Sequence, residues 1–191
     1  MNLTKLFEAQ KVLDEHIERD HPKKEGEDRL SKKILALQSE LGELANEWKG
    51  FKFWSNDQEP RTNVEVFCKE CQGTGTPVGI PEESGVDCWK CDGCGSYYKN
   101  PLLEEYVDCL HFILSIGLED AERYGAMIPI YIQFNSSEPI KYDNITKHFN
   151  YMFNQIGYFM DCCFDHEWGT DNEIEEQYEF LFRMFLGLGE M

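Results

Sequence analysis

The amino-acid sequence predicts an all-α protein, a helical bundle of about five helices carrying an inserted four-cysteine zinc-binding module. Three observations predict it. Apolar residues recur at three- and four-residue steps in five separate segments, the period of a helix with one face on a core. Two C-x-x-C pairs, CKECQGTG and CWKCDGCG, interrupt that pattern between the second and third segments, and cysteines so paired read as ligands for one zinc ion. The 191 residues are enough for one ordinary core and one small appendage. We expect one domain over 1–191, interrupted by an insertion at 64–98.

The charge balance narrows the partners. With 36 acidic against 18 basic residues, a formal net charge of −18, the chain should repel polyphosphate backbones, which argues against general nucleic-acid binding. A small anionic substrate would need bridging cations. No apolar run approaches the roughly 20 residues of a membrane span, and MNLTKLFEAQ has no basic segment followed by an apolar one. The expected location is cytoplasmic, with no membrane partner.

The first helix is capped by Asn2 or Thr4 and runs to about Arg19, with Leu3, Leu6, Phe7, Leu13 and Ile17 as its apolar stripe. Gln10 falls inside that stripe, so its amide must be buried and find partners. By spacing alone a core glutamine bonded to a neighbouring helix is the simpler reading, and an amide that reads a ligand the other. After the polar turn HPKKEGEDR, the second helix begins near Ser31 and ends near Gly50 on an arc of Ile34, Leu37, Leu41, Leu44, Ala45 and Trp48. On it Glu40, Glu43 and Glu47 lie within about 60° of one another. Glu40 borders the apolar arc and Glu43 lies well away from it. A solvated acidic face is the bland reading of this helix alone.

The insertion holds five of the eight cysteines. Each C-x-x-C followed by glycine is a knuckle whose tight turn lets two thiolates and backbone N–H groups surround one metal ion. Cys68, Cys71, Cys88 and Cys91, with 16 residues between the pairs, make a tetrahedral Zn²⁺ set. The repeats are similar to the knuckles of DnaJ-type zinc modules. Cys94 is a fifth thiol and a possible substitute ligand, although Cys91 keeps the matched spacing. Four thiolates leave no open position, so the zinc is structural, a staple for a segment that buries little core by itself.

The third helix opens at Pro101 and has Gly117 near its end, PLLEEYVDCLHFILSIGLED. It is apolar on nearly every side and therefore belongs in the middle of the protein. Glu105 falls by angle between Phe112 and Ile116, and Asp108 lies one turn on. Buried carboxylates need a cation or a proton. Two acidic pairs at three-residue steps on two helices, Glu40 with Glu43 and Glu105 with Asp108, therefore suggest a Mg²⁺ site; a buried ion pair with a distant Lys or Arg is the alternative.

These pairs, with LFEAQKVLDEHI, SELGELANEWKGFKFWS and EEYVDCLHFILSIGLE around them, resemble the all-α nucleoside triphosphate pyrophosphatases and, among them, the dimeric dUTP diphosphatases. The resemblance implies a homodimer that hydrolyses dUTP to dUMP and pyrophosphate by a metal-activated water. It implies that Glu40, Glu43, Glu105 and Asp108 hold two or more Mg²⁺ ions, with Glu43 or Glu40 doubling as the base. It places Lys52 and Trp54 toward the substrate, and Gln10, His111 and Phe112 near the base, which shifts Gln10 toward ligand reading. His111 stays balanced between a ligand contact and a core histidine. A MazG-like hydrolase of other or several nucleoside triphosphates is the alternative within enzymes. A non-catalytic zinc-containing binding protein is the alternative outside them.

The remaining segments carry less chemistry. Tyr124 to Tyr142, with the run IPIYIQF, reads as a connector. A fourth helix capped by Asp143 or Asn144 presents Ile145, Phe149, Met152, Phe153, Ile156 and Phe159 or Met160. A fifth, capped by Thr170 or Asp171, presents Ile174, Tyr178, Leu181, Phe182 and Phe185. Both stripes read as core or dimer contact. The basic, Asn- and Tyr-containing tail that many relatives use around the phosphates is missing, and Arg183 stands in an otherwise apolar stretch.

Overall fold

The computed structural model describes residues 2–124, 138–164 and 171–191. Its described elements are five α-helices, two short strands and a 3₁₀ turn at Glu82–Ser84. They divide into two compact units, Met1–Asn46 with Glu105–Met191, and Glu47–Glu104.

The first unit is helical. Helix α1 spans Leu3–Asp20, with the Asn2 side chain accepting the Lys5 N–H at its start. Leu3, Phe7 and Gln10 are buried, but Leu13 and Ile17 stay 37% and 43% exposed, so only the first half of the expected stripe meets core. Helix α2, Arg29–Trp48, begins two residues before Ser31 because Asp28 takes the cap, its Oδ1 accepting the Ser31 N–H. Leu30, Ile34, Leu37, Leu41 and Leu44 are buried along it.

Helix α3, Pro101–Tyr124, does not stop at Gly117. Nor is it enclosed throughout. After the buried Pro101, Leu103 and Val107 are exposed, and burial resumes at Cys109 and includes Ile113, Leu114 and Ile116. Periodicity counts apolar side chains around a helix, and only packing decides which half of its length they cover. Helices α4, Ile145–Phe164, and α5, Asp171–Gly189, pack on each other. Asn144 caps α4 through the Lys147 N–H. Phe149, Met152, Ile156 and Phe159 from α4 join Ile174, Tyr178, Leu181, Phe182 and Phe185 from α5 in the core, while Phe153 and Met160 are left partly exposed. The IPIYIQF run and the Thr170 cap lie outside the described residues.

The second unit is built on a duplication. Strands β1, Val64–Phe67, and β2, Ser96–Lys99, pair antiparallel with Val64 opposite Lys99 and Phe67 opposite Ser96. They close the segment that carries the knuckles, a pairing that cysteine spacing did not announce. The two knuckles then answer each other residue for residue at a separation of 20: Cys68 Sγ lies 3.8 Å from Cys88 Sγ, and Cys71 Sγ lies 3.7 Å from Cys91 Sγ. The Cys68 N–H donates to Gly95 O and the Cys88 N–H to Gly75 O. Gly75 and Gly95 sit at φ +81° and +77°, and a Cβ on either would strike the carbonyl oxygen of Gly93 or Gly73 at 2.1 or 2.3 Å. Only glycine fits both the left-handed backbone and the close crossing.

Candidate active site

Three carboxylates converge in the first unit. Glu40 and Glu43, one turn apart on α2, and Glu105 on α3 each offer an oxygen, all within 4.8 Å of one another. Glu40 and Glu105 are half-buried, whereas Glu43 and Asp108 are exposed. The burial expected for both α3 acids is thus met in part at Glu105 and not at Asp108, because the first half of α3 lies at the surface. Burial raises the Glu40 carboxyl above its ordinary range, and the charges of Glu43 and then Asp108 push it the same way. Asp108 therefore belongs to the electrostatic surroundings of the cluster while standing outside the trio. Below them the Cys109 thiol is driven upward by burial and then by Glu40, Glu105 and Asp108. Glu47, the third acid of the α2 face, is instead engaged by Arg61, whose Nη1 lies 3.0 Å from its Oε1.

Hard oxygen donors gathered from two helices suit a divalent cation such as Mg²⁺, since like charges this close repel unless a cation or proton lies between them.

A polar chain links α1 to α2 and α3. Gln10, 4% exposed, donates from Nε2 to Asp14 Oδ1 at 2.7 Å, and its Oε1 lies 2.7 Å from His111 Nδ1. Ser115 Oγ donates to the other Asp14 oxygen at 2.7 Å. Lys33 Nζ stands 3.8 Å from that oxygen and 2.8 Å from Glu119 Oε2. Burial alone would raise Glu119, but Lys33 and Lys23 overcome it and hold the group below its ordinary range. His111 is exposed, which removes the core-histidine reading, and Phe112 is half-buried beside it. Asp14, Ser115 and Lys33 went unnoticed in the sequence. Asp14 stands one turn after Gln10, the spacing that could have flagged it. A cavity of about 550 Å³ is lined by Lys23, Glu27, Asp28 and Glu119 among others; none of the converging carboxylates lines it.

Lys52 and Trp54 lie in the second unit, on the turn that follows α2. The Lys52 ammonium sits over the Phe51 ring at 5.6 Å, and Trp54, 67% exposed, meets Phe51 and Phe53 edge-on. Arg183 is spent on structure, donating to Glu138 O at 3.1 Å and lying 3.9 Å from Glu179.

The second unit holds a different donor set. Cys68, Cys71, Cys88 and Cys91 are all buried, and their sulfurs fall within 4.8 Å of one another. The Gly75 and Gly95 N–H groups donate to Cys71 and Cys91 Sγ at 3.4 and 3.2 Å. Burial pushes the Cys91 thiol up to about 12. At Cys71 the Gly75 N–H and the neighbouring thiols outweigh burial and draw the group down to about 7. Four soft donors with N–H groups aimed at sulfur suit Zn²⁺. Cys94 is exposed and outside the set; it occupies the place of Thr74 in the duplication.

An all-helical domain that draws acidic side chains from two helices to one point has the design of a helical-bundle carboxylate site, and its acidic surroundings suit an anionic substrate only with cations present. A family model described as dUTPase matches residues 2–70 and 85–191. The chain belongs to that family, the all-α dUTPases, and is by that membership a dUTP diphosphatase, a nucleoside triphosphate pyrophosphohydrolase. The unmatched residues 71–84 start at Cys71 and run into the spacer between the knuckles. No curated protein and no solved structure matches the chain.

Proposed function

We propose that the protein hydrolyses dUTP to dUMP and pyrophosphate in a Mg²⁺-dependent reaction, with Glu40, Glu43, Glu105 and Asp108 as the residues that hold the metal. The observation that carries this reading is the convergence of Glu40, Glu43 and Glu105 from two helices, in a chain of the dUTPase family. When bound, Mg²⁺ would neutralise the triphosphate and make a water molecule more acidic. Glu43 or Glu40 takes the proton from the attacking water. The water oxygen bonds to phosphorus, the bond between the α- and β-phosphates breaks, and pyrophosphate leaves. Gln10 and His111 read the edge of uracil and Phe112 offers a ring to stack on it. Lys52 supplies a cation for phosphate and Trp54 an apolar face for the nucleotide.

The zinc set, Cys68, Cys71, Cys88 and Cys91, holds the insertion at 64–98 together and takes no part in catalysis. The protein acts as a homodimer, for which partly exposed Leu13 and Ile17 on α1 and Tyr158 and Met160 on α4 supply apolar surface. No helix among the described residues is long and apolar enough to cross a membrane. Eight free cysteines fit a reducing, cytoplasmic setting.

Pyrophosphate release in the presence of Mg²⁺, measured for each deoxynucleoside triphosphate and for UTP, tests the assignment. Turnover of dUTP well above that of the others is expected. Equal turnover of all would replace uracil selection with a MazG-like breadth of substrates, and no turnover of any would sink the catalytic reading.

A further inference from the structure

The polar chain that ends at His111 has a direction. Asp14 is an acceptor on both oxygens, with Ser115 Oγ on one and Gln10 Nε2 on the other, each at 2.7 Å. The Lys33 ammonium lies 3.8 Å from the oxygen that accepts from Ser115. A carboxylate accepts and never donates, so the Gln10 amide is fixed with its NH₂ toward Asp14 and its carbonyl toward His111. That carbonyl is itself only an acceptor. His111 Nδ1, at 2.7 Å from it, must therefore carry the hydrogen, and in the neutral ring the lone pair falls on Nε2. The amide and the ring belong to different helices, and Gln10 is buried, so neither orientation is left to water.

We propose that Asp14 is a positioning residue for base selection: by fixing the Gln10 amide it sets His111 as the Nδ1–H tautomer, which presents an Nε2 lone pair to the imide N–H of a uracil ring. The uracil edge donates at N3, whereas cytosine carries a lone pair there, so this tautomer accepts one base and repels the other. Asp14 never touches the nucleotide. Its effect passes through two hydrogen bonds. The proposal rests on the reading that Gln10 and His111 face the base.

The test uses the full-length protein labelled with ¹⁵N at histidine, where the ring nitrogen shifts report the tautomer directly and His111→Asn identifies the His111 signals. Wild-type protein is expected to show a protonated Nδ1 and a bare Nε2. Asp14→Asn should keep that pattern, because its Oδ1 still accepts from Gln10 and its NH₂ can turn to Ser115. Asp14→Ala should shift His111 toward a mixture of tautomers. The same variant should raise KM for dUTP about 10-fold or more with a smaller change in kcat, and narrow the preference for dUTP over dCTP.

An Nε2–H tautomer in the wild type overturns the proposal, and needs no variant that folds. So does an Asp14→Ala protein whose tautomer and dUTP preference are both unchanged. If instead the tautomer shifts as expected while the wild type hydrolyses dUTP and dCTP equally, the hydrogen-bond chain stands and the assignment of Gln10 and His111 to the base falls.

Discussion

Tyr178 on α5 lies against Gly117 on α3, and its hydroxyl donates to the carbonyl of Ile113, one turn earlier on the same helix, at 2.8 Å. A Cβ at Gly117 would sit 2.3 Å from that hydroxyl and 2.6 Å from the ring carbon that bears it. The glycine therefore makes room for a phenol inside a helix rather than ending the helix. Tyr178 itself is fully buried. We predict that Gly117→Ala lowers stability by about 1–3 kcal/mol through overpacking, and Tyr178→Phe by about 1 kcal/mol through loss of the hydroxyl's hydrogen bond to the Ile113 carbonyl. Urea unfolding measures both. A Gly117→Ala protein as stable as wild type would show that the phenol can move aside.

The carboxylate trio leads to a prediction about metal. Glu43→Gln should abolish Mg²⁺-dependent pyrophosphate release while leaving helical content and melting temperature close to wild type, because Glu43 is exposed and its loss relieves repulsion on Glu40. Saturating Mg²⁺, at about 100 times its Kd, should stabilise the wild type by about 2.7 kcal/mol, and Glu105→Gln should lose most of that gain. Near-normal turnover in Glu43→Gln would refute the metal assignment.

Removal of zinc should act on the second unit. A strong chelator is expected to release one zinc per chain and open residues 66–96 to protease, with the helical signal of α1, α4 and α5 retained. Gly75→Ala should release zinc more readily, since its φ of +81° and the 2.1 Å approach to Gly93 O leave no room for a methyl; the backbone strain alone costs on the order of 1–3 kcal/mol. Unchanged proteolysis in metal-free protein would remove the stapling role.

His148 predicts an acid limit to stability. Its Nε2 lies 2.8 Å from Met184 O, which only accepts, so Nε2 bears the hydrogen; Nδ1 is buried with no partner among the described residues. Burial lowers its proton affinity, and the bond to Met184 opposes this only in part. The unfolded chain takes up a proton near the ordinary value of 6.5, and the folded one resists it. Stability from this group is thus constant above that pH and falls as pH drops below it, by at most about 1.4 kcal/mol per pH unit. The urea midpoint should fall more steeply from about pH 7.5 to 5.5 in wild type than in His148→Asn; parallel slopes would show that other groups set the acid limit.

Much of this molecule was legible in its sequence. The helical stripes, the cap at Asn2, the knuckle cysteines and the pairing of Glu40 with Glu43 all follow from spacing along one chain, because helix period and tight-turn chemistry are local. The same logic found Gln10 as a buried amide. Where it overreached, at the exposed half of α3 and at Leu13 and Ile17, it had counted apolar side chains without knowing what lay opposite them.

Local spacing along the chain thus sets the list of elements and the chemical character of each face. Which faces meet is settled by packing in three dimensions. It brought Glu105 of α3 to the Glu40–Glu43 pair of α2, gave Glu47 to Arg61 and Arg183 to the Glu138 carbonyl, left Cys94 outside the thiol set, and joined Asp14, Gln10 and His111 into one hydrogen-bonded chain. Residues about 100 positions apart in the chain meet there through directional bonds of fixed polarity, and a one-dimensional pattern carries no record of direction across a gap between helices.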